Sequence, residues 1–263
     1  MPEGDTVWRA ARALDRALSG QALTATDFRV PAYATWDLAG ATVAGSVSRG
    51  KHLLTRIDAD RGWTLHTHLK MEGGWRVLTP GQRWPRPAHT ARVVLETSAA
   101  VAVGFQLGVV EIVPREDESR IVGHLGPDLL GPDWDADEAL RRLREEPDRE
   151  IKRALLDQTR LAGVGNMYAN ELCFLAGVDP VVPVAAVPDL ARMVARAHQL
   201  LDANRHRAVQ STTGDLRRGQ NLWVYRRGGL PCRRCGTRIV ETMLGEAGQE
   251  RVTFRCPHCQ PRR

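Results

Sequence analysis

Cys232 and Cys235 form one CxxC pair, and Cys256 and Cys259 form a second after an interval of twenty residues. Each pair sets two thiolates on one tight turn. Two such turns supply the four sulfur donors of a tetrahedral zinc site with no open coordination position, so one structural zinc ion is expected. Disulfides are the weaker reading in a reducing cytosol. The segment between the pairs, GTRIVETMLGEAGQERVTFR, has a glycine-bearing middle between two β-prone arms. That pattern predicts a hairpin bounded by its zinc knuckles. The hairpin either staples a small subdomain or presents Arg251 to a polyanion. Cys173, in NELCFLAGV, stands apart and is expected in a core.

A second reactive group lies at the start, Met-Pro-Glu-Gly-Asp. Trimming of the initiator Met leaves Pro2 with a secondary amine. Amines of this kind titrate near about 7.7 to 8.0, so a useful fraction is a neutral nucleophile at physiological pH. Attack on a sugar C1′ gives an iminium ion, which acidifies the adjacent carbon and opens elimination chemistry. Glu3 is placed to protonate a departing base or sugar oxygen. Many chains begin Met-Pro, so the pair carries little weight alone.

These groups need a frame. Asp5 is a candidate helix cap, followed by Val7, Ala10, Ala11, Leu14, Ala17 and Leu18 at helical spacing and by Gly20 as a stop. From about residue 22 to 115, short apolar runs separated by Gly, Pro and charge predict a β-sandwich or barrel. HLGPDLLGPDW, with two Gly-Pro breaks, reads as a linker. Helical periodicity returns from Asp135. The expected organisation is α+β: an N-terminal helix and β-sandwich over 1–122, a linker over 123–135, a helical domain over 136–222, and a zinc module over 223–263.

Charge points to the partner. The net charge is +6, yet residues 204–263 alone carry 13 Arg, no Lys and 4 acids, a balance of +9, leaving −3 for the rest. A basic C-terminal third on a near-neutral body is an electrostatic footprint for nucleic acid, although a solvated charged surface accounts for charge alone equally well. Three lysines remain in the chain, Lys51, Lys70 and Lys152. No apolar run approaches the roughly 20 residues of a membrane span. The acidic start without an apolar h-region argues against a secretory signal. A cytoplasmic, nucleoid-associated bacterial monomer is expected.

LDQTRLAGVGNMYANELCFLAGVDP at 156–180 joins these parts, together with MPEGD, SRGKHLL, HLKMEGGW, HLGPDLL and the CxxC pairs. In this order the motifs resemble the formamidopyrimidine-DNA glycosylase/endonuclease VIII family across nearly the whole chain. MPEGD leans towards the endonuclease VIII branch, in its actinobacterial form. The resemblance implies a helix–two-turns–helix domain with a zinc-ribbon hairpin, and a bifunctional DNA glycosylase/AP lyase acting on damaged DNA. By the same resemblance Pro2 is the Schiff-base nucleophile and Glu3 the general acid/base. Lys51 contacts phosphate and assists β-elimination. Asn166 binds the lesion phosphate, and Arg251 meets the same phosphate and serves δ-elimination.

Met71 matches the position that fills the gap left by an extruded base, and a core methionine is the alternative. Lys70 matches a DNA-contacting Gln, His124 falls where the branch carries an Arg, and His89 falls near a DNA-contacting His. Taken without the family, Lys51 reads as a solvated surface lysine and Asn166 as a helix cap. Several positions depart from the pattern. Thr6 stands where many relatives have Glu, and Glu72 replaces an aromatic wedge. VGFQLGVVE lacks the Arg and Phe void-fillers of the formamidopyrimidine branch. GDLRRGQNLW, between Thr213 and Val224, is shorter than the loop that caps 8-oxoguanine there. Oxidised pyrimidines are therefore the expected substrates. The alternatives are the same chemistry on oxidised purines, and a non-catalytic DNA-binding zinc protein.

Overall fold

The computed structural model describes residues 2–246, 248 and 250–262; Met1, whose removal the amine chemistry requires, lies outside them. The chain divides into two compact units, one ending at His124 and the other beginning at Leu125.

The first unit opens with α1 (Gly4–Leu18), whose Val7, Ala11, Leu14 and Leu18 form the buried stripe that the spacing predicts. The cap differs from the expected one. Glu3, in extended conformation, occupies the N-cap, and its carbonyl accepts from the amides of Thr6 and Val7 at 3.0 Å. Asp5 is already helical and buried, accepting from the Thr6 amide at 2.7 Å. Eight strands follow: β1 (Ala25–Phe28), β2 (Thr42–Arg49), β3 (His52–Asp58), β4 (Gly62–His68), β5 (Gly74–Leu78), β6 (Ala91–Glu96), β7 (Val101–Phe105) and β8 (Val109–Pro114). They form two antiparallel four-stranded sheets in the orders β1-β6-β7-β5 and β2-β3-β4-β8. Val43, Leu53, Ile57 and Leu65 from one sheet and Val93, Leu95 and Ala102 from the other share a core with the α1 stripe. The sandwich reading therefore holds. The short helix α2 (Glu118–Val122) ends the unit. Its Glu118 accepts a two-pronged bond from Arg56 and a third from Thr64, on the face of β3 and β4 away from that core.

The second unit holds α3 (Ala136–Arg144), α4 (Ile151–Leu156), α5 (Asn166–Ala176) and α6 (Leu190–Arg205), then the hairpin β9 (Val240–Leu244) and β10 (Arg251–Arg255). Asp135 caps α3 by accepting from the amides of Asp137 and Glu138. Where a linker was expected, Leu125 and Leu129 are buried, and Leu129 belongs to the core of this unit. Gly-Pro breaks end secondary structure without loosening the chain, because the leucines between them still gain by burial. The cysteine module is likewise continuous with the helices. Ile239, Phe254 and Cys256 share one core with Leu155, Tyr168 and Leu172.

Candidate active site

In the first unit, Pro2 is half-buried and Glu3 is fully buried at the mouth of α1. An acid at that place lies in the partial positive charge of the helix N-terminus. Lys51 sits in the tightest link of the β2-β3-β4-β8 sheet. Arg49 pairs with His52, so only Gly50 and Lys51 join β2 to β3, and Gly50 takes φ +56°, a conformation glycine adopts without strain. The register then sets His52 opposite His68 on β4.

A cluster forms there. The His52 ring lies 5.0 Å from His66, 5.3 Å from His68 and 6.4 Å from His124, centroid to centroid. Burial, then His66, His68, His124 and Lys70, push the His52 imidazole down to about 3. Burial, then Lys70, Lys51 and His66, push His68 down to about 4. Lys51, Lys70 and His124, singled out separately from the sequence, thus meet at one end of one sheet. His52, His66 and His68 were missed; their alternation with Leu53, Leu65 and Thr67 was the available signal. His89 stands elsewhere, exposed on a 3-10 turn before β6, with no described hydrogen bond or ring contact to this cluster.

Met71 is 62% exposed, which removes the core alternative and leaves an apolar tip held out to solvent. Its loop is rigidly built. Leu69 is buried, the Gly73 amide donates to the Leu69 carbonyl at 2.9 Å, and a Cβ on Gly73 would stand 2.4 Å from that oxygen. Lys70 takes φ +49°, turning the chain outward. Glu72, where an aromatic wedge was absent, braces the loop instead. Gln106 Nε2 donates to its carboxylate at 3.2 Å, and Arg86 Nη1 donates to its carbonyl at 3.0 Å and to Gln106 Oε1 at 2.9 Å. Loss of such exposed bonds costs about 0.5–1 kcal/mol. Arg86→Ala is accordingly expected to weaken binding to an abasic duplex roughly two- to fivefold by fluorescence anisotropy; equal binding would remove the bracing role.

In the second unit, Asn166 and Arg251 belong to adjoining elements. Gly165, not Asn166, is the N-cap of α5, so the Asn166 side chain does not serve as the cap. Asn166 Nδ2 donates to the Val252 carbonyl at 2.9 Å, and Asn170 Oδ1 accepts from the Phe254 amide at 2.7 Å. Lys152, almost fully buried, donates to Val252 O at 3.1 Å and to Thr253 Oγ1. Burial pushes this lysine down to about 8. Three side chains of the helical layer therefore pin the strand that begins at Arg251, whose own side chain is exposed. Gly163, at φ +109°, supplies the turn before α5.

Glu171 was also missed. It is fully buried, and its carboxylate accepts from the amides of Trp223, Val224 and Tyr225, each at 2.8 Å, and from Thr212 Oγ1. One side chain thus closes both ends of the short 213–223 segment. Cys173, as expected, is wholly buried, and burial pushes its thiol up to about 12.

The four remaining cysteines gather with all sulfurs within 4.8 Å of one another, a group able to hold a metal ion. Sγ separations are 3.4 Å for Cys235–Cys256, 3.5 Å for Cys235–Cys259 and 4.0 Å for Cys232–Cys259. Tetrahedral sulfur at a Zn–S distance of about 2.3 Å gives S···S near about 3.8 Å. The donor set therefore fits zinc. Four thiolates this close repel one another unless a cation lies among them.

Two family models match the chain: the formamidopyrimidine-DNA glycosylase N-terminal domain over residues 1–106, and the formamidopyrimidine-DNA glycosylase H2TH domain over residues 125–214. The chain is 54% identical over 263 residues to the probable endonuclease 8 2 of Streptomyces coelicolor, covering 99% of this chain and 94% of that protein. It is 50% identical to the DNA-(apurinic or apyrimidinic site) lyase Nei2 of Mycolicibacterium smegmatis, covering 99% of both. Among solved structures it is similar to Lactococcus lactis Fpg in complex with DNA containing an abasic site, with TM-score 0.81, 25% identity, and coverage of 99% and 100% of the two chains. The chain belongs to the formamidopyrimidine-DNA glycosylase/endonuclease VIII family. Within it, the endonuclease 8 relatives place the chain in the endonuclease VIII-like branch.

Proposed function

We propose that this protein excises oxidised pyrimidines through a Schiff base on Pro2 and cuts the strand by β- and δ-elimination. The coarser activity follows from the family: a DNA glycosylase and AP lyase of base excision repair. The observation that carries the finer reading is the pairing of a half-buried Pro2 with a fully buried Glu3 at the start of α1.

The chemistry runs in order. The extruded base leaves a gap that Met71 fills. The free amine of Pro2 attacks C1′, and Glu3 passes a proton to the departing base or ring oxygen, so that the C1′–N bond of the nucleoside breaks as the C1′–N bond to Pro2 forms. Protonation of O4′ breaks the C1′–O4′ bond and leaves an iminium ion between C1′ and Pro2. It acidifies C2′–H, water takes that proton as the C2′–C3′ double bond forms, and the C3′–O bond breaks to release the 3′ phosphate. Lys51 steadies that phosphate, with Lys70 and His124 as further contacts. Asn166 and Arg251 grip phosphate in the second unit, where a guanidinium fork suits a phosphate better than an ammonium does. Loss of the C4′ proton to water, with breakage of the C5′–O bond to release the 5′ phosphate, completes δ-elimination. His89 contacts DNA outside the cluster. One structural zinc on Cys232, Cys235, Cys256 and Cys259 holds the hairpin that bears Arg251. Duties divide along the chain between a catalytic domain over 1–122 and DNA-gripping modules over 136–222 and 223–263. No described helix is long and apolar enough to cross a membrane. The enzyme acts as a monomer on DNA in the bacterial nucleoid.

The substrate choice rests on the 213–223 segment. Thr212 and Thr213 amides both donate to the Asn221 carbonyl, and Trp223 Nε1 donates to the Thr212 carbonyl at 3.1 Å. Tied at both ends, it has no slack to fold over an 8-oxopurine. Borohydride added to the trimmed protein and an abasic duplex is expected to trap a covalent adduct, and protein extended by one residue ahead of Pro2 is expected to form none. No adduct from trimmed protein would sink the lyase. Against a lesion panel, thymine glycol, 5-hydroxyuracil and dihydrouracil are expected to be released at least roughly tenfold faster than 8-oxoguanine; the reverse order would transfer the chemistry to oxidised purines.

A further inference from the structure

The steps above leave a row of polar groups unused on the outer face of the β2-β3-β4-β8 sheet. His66, on β4, faces Glu111 across the β4–β8 register. His66 Nδ1 lies 2.8 Å from Glu111 Oε2, and His66 Nε2 lies 2.9 Å from His52 Nδ1. His66 is buried, whereas the Glu111 side chain is half exposed.

The bonding partners dictate where the protons sit. A carboxylate only accepts, so His66 Nδ1 carries hydrogen and donates to Glu111. In the neutral ring His66 Nε2 then holds a lone pair and accepts from His52 Nδ1–H. His52 Nε2 is left with a lone pair at the end of the chain, among His68 and His124. The order carboxylate, imidazole, imidazole has one polarity: acid at Glu111, base at His52 Nε2.

A proton arriving from solvent at His52 Nε2 need not leave its charge there. One N–H bond forms at Nε2, the Nδ1–H bond of His52 breaks, and that hydrogen bonds to His66 Nε2. The net change is a single positive charge, now on His66 against the Glu111 carboxylate. Charge kept on His52 would face Lys70, His68 and His124, with Lys51 the next residue in the turn and Arg49 its partner on β2. Further along this face the charges are paired: Arg56 on β3 with Glu118 on α2, and Asp58 on β3 with Arg115. With no anion present Lys70 opposes a proton on His52, and Lys70 and Lys51 oppose one on His68. An anion at that end of the sheet removes the opposition.

We infer that Glu111, His66 and His52 form a proton relay that couples phosphate binding at Lys51 and Lys70 to the uptake of one proton. The three act as positioning residues: they set the charge of the phosphate site without replacing the lysines that touch it. The inference rests on the proposal that Lys51 and Lys70 meet DNA phosphate.

The test uses the full-length, zinc-loaded protein and a duplex bearing a tetrahydrofuran abasic analogue, which cannot form a Schiff base. Titration calorimetry at pH 6.5 in buffers of different ionisation enthalpy counts protons taken up on binding. Fluorescence anisotropy at pH 6.5 and 8.5 gives the ratio of affinities. The wild type is expected to take up a substantial fraction of a proton and to bind several-fold tighter at the lower pH. Glu111→Gln and His66→Phe are each expected to lose most of that uptake and to flatten the ratio. Glu111→Gln changes a half-exposed side chain and leaves the core alone, so it reports even if His66→Phe misfolds. A merely structural role would weaken binding by one factor at both pH values and leave proton uptake at its wild-type value; that result, or binding by the wild type without uptake, overturns the relay. Failure of the wild type to bind the duplex at all strikes the underlying reading instead.

Discussion

Glu3→Gln is expected to lower base excision by a factor of roughly 10²–10⁴, the usual worth of a positioned general acid or base, while leaving cleavage of a preformed abasic site within about tenfold of wild type. The asymmetry follows from where Glu3 stands. Its carbonyl caps α1 through Thr6 and Val7, so the backbone is held whatever the side chain does. The side chain is fully buried, and a glutamine of the same shape fills its space without offering a transferable proton. Base loss needs a proton delivered to a poor leaving group. An abasic site has already lost its base, and its aldehyde needs only the Pro2 amine and a route for the C2′ proton. Single-turnover rates on a thymine glycol duplex and on an abasic duplex, measured side by side, check this. Equal losses on both would move Glu3 from proton donor to general scaffold, and no loss on either would remove it from the chemistry.

Much of this arrangement was legible in the residues, for reasons that differ by element. The stripe of α1 and the sandwich strands could be read because each buries one face against a single core, which forces a 3.6 or a 2.0 period. The zinc hairpin was legible because metal geometry leaves few ways to space four sulfurs. The stretch around Leu129 was misread because Gly-Pro pairs mark breaks in hydrogen bonding, and burial of the intervening leucines depends on partners far along the chain. Asp5 and Asn166 were placed one or two residues wrong as caps for a related reason. Either residue suits a cap by type, and each is engaged elsewhere: Asp5 by the neighbouring Thr6 amide, and Asn166 by the distant Val252 carbonyl. The pairings of Glu171, Lys152 and the His52–His66–Glu111 row left no local trace, beyond the alternation of the two histidines with apolar neighbours. Their partners lie from 14 to 101 positions away, and only the fold brings them together.

Cys256→Ser is expected to lose zinc and DNA binding in one step. Cys256 is fully buried, lies 3.4 Å from Cys235 through sulfur, and shares its core with Phe254 and Ile239. Binding of structural zinc in small sulfur-ligand modules is worth about 10–16 kcal/mol, and a serine oxygen is a poor substitute for a thiolate donor. Without the metal the hairpin keeps its apolar contacts with the helical core and the bonds that Lys152, Asn166 and Asn170 make to β10. Those bonds are individually worth about 1–3 kcal/mol and depend on the strand being formed. Arg251 opens that strand, so its guanidinium loses its aim. A charge-assisted fork to phosphate contributes about 1.5–3 kcal/mol, so affinity for an abasic duplex is expected to fall roughly tenfold to a hundredfold from this contact alone. Arg251→Ala separates the two causes. It is expected to lose the same share of affinity while keeping its full zinc content and its melting temperature. Metal analysis, thermal melting and anisotropy on the three proteins give the answer. A zinc-free Cys256→Ser protein that still binds tightly would free the DNA grip from the metal. An Arg251→Ala protein that binds as well as wild type would assign the loss to another group on the hairpin.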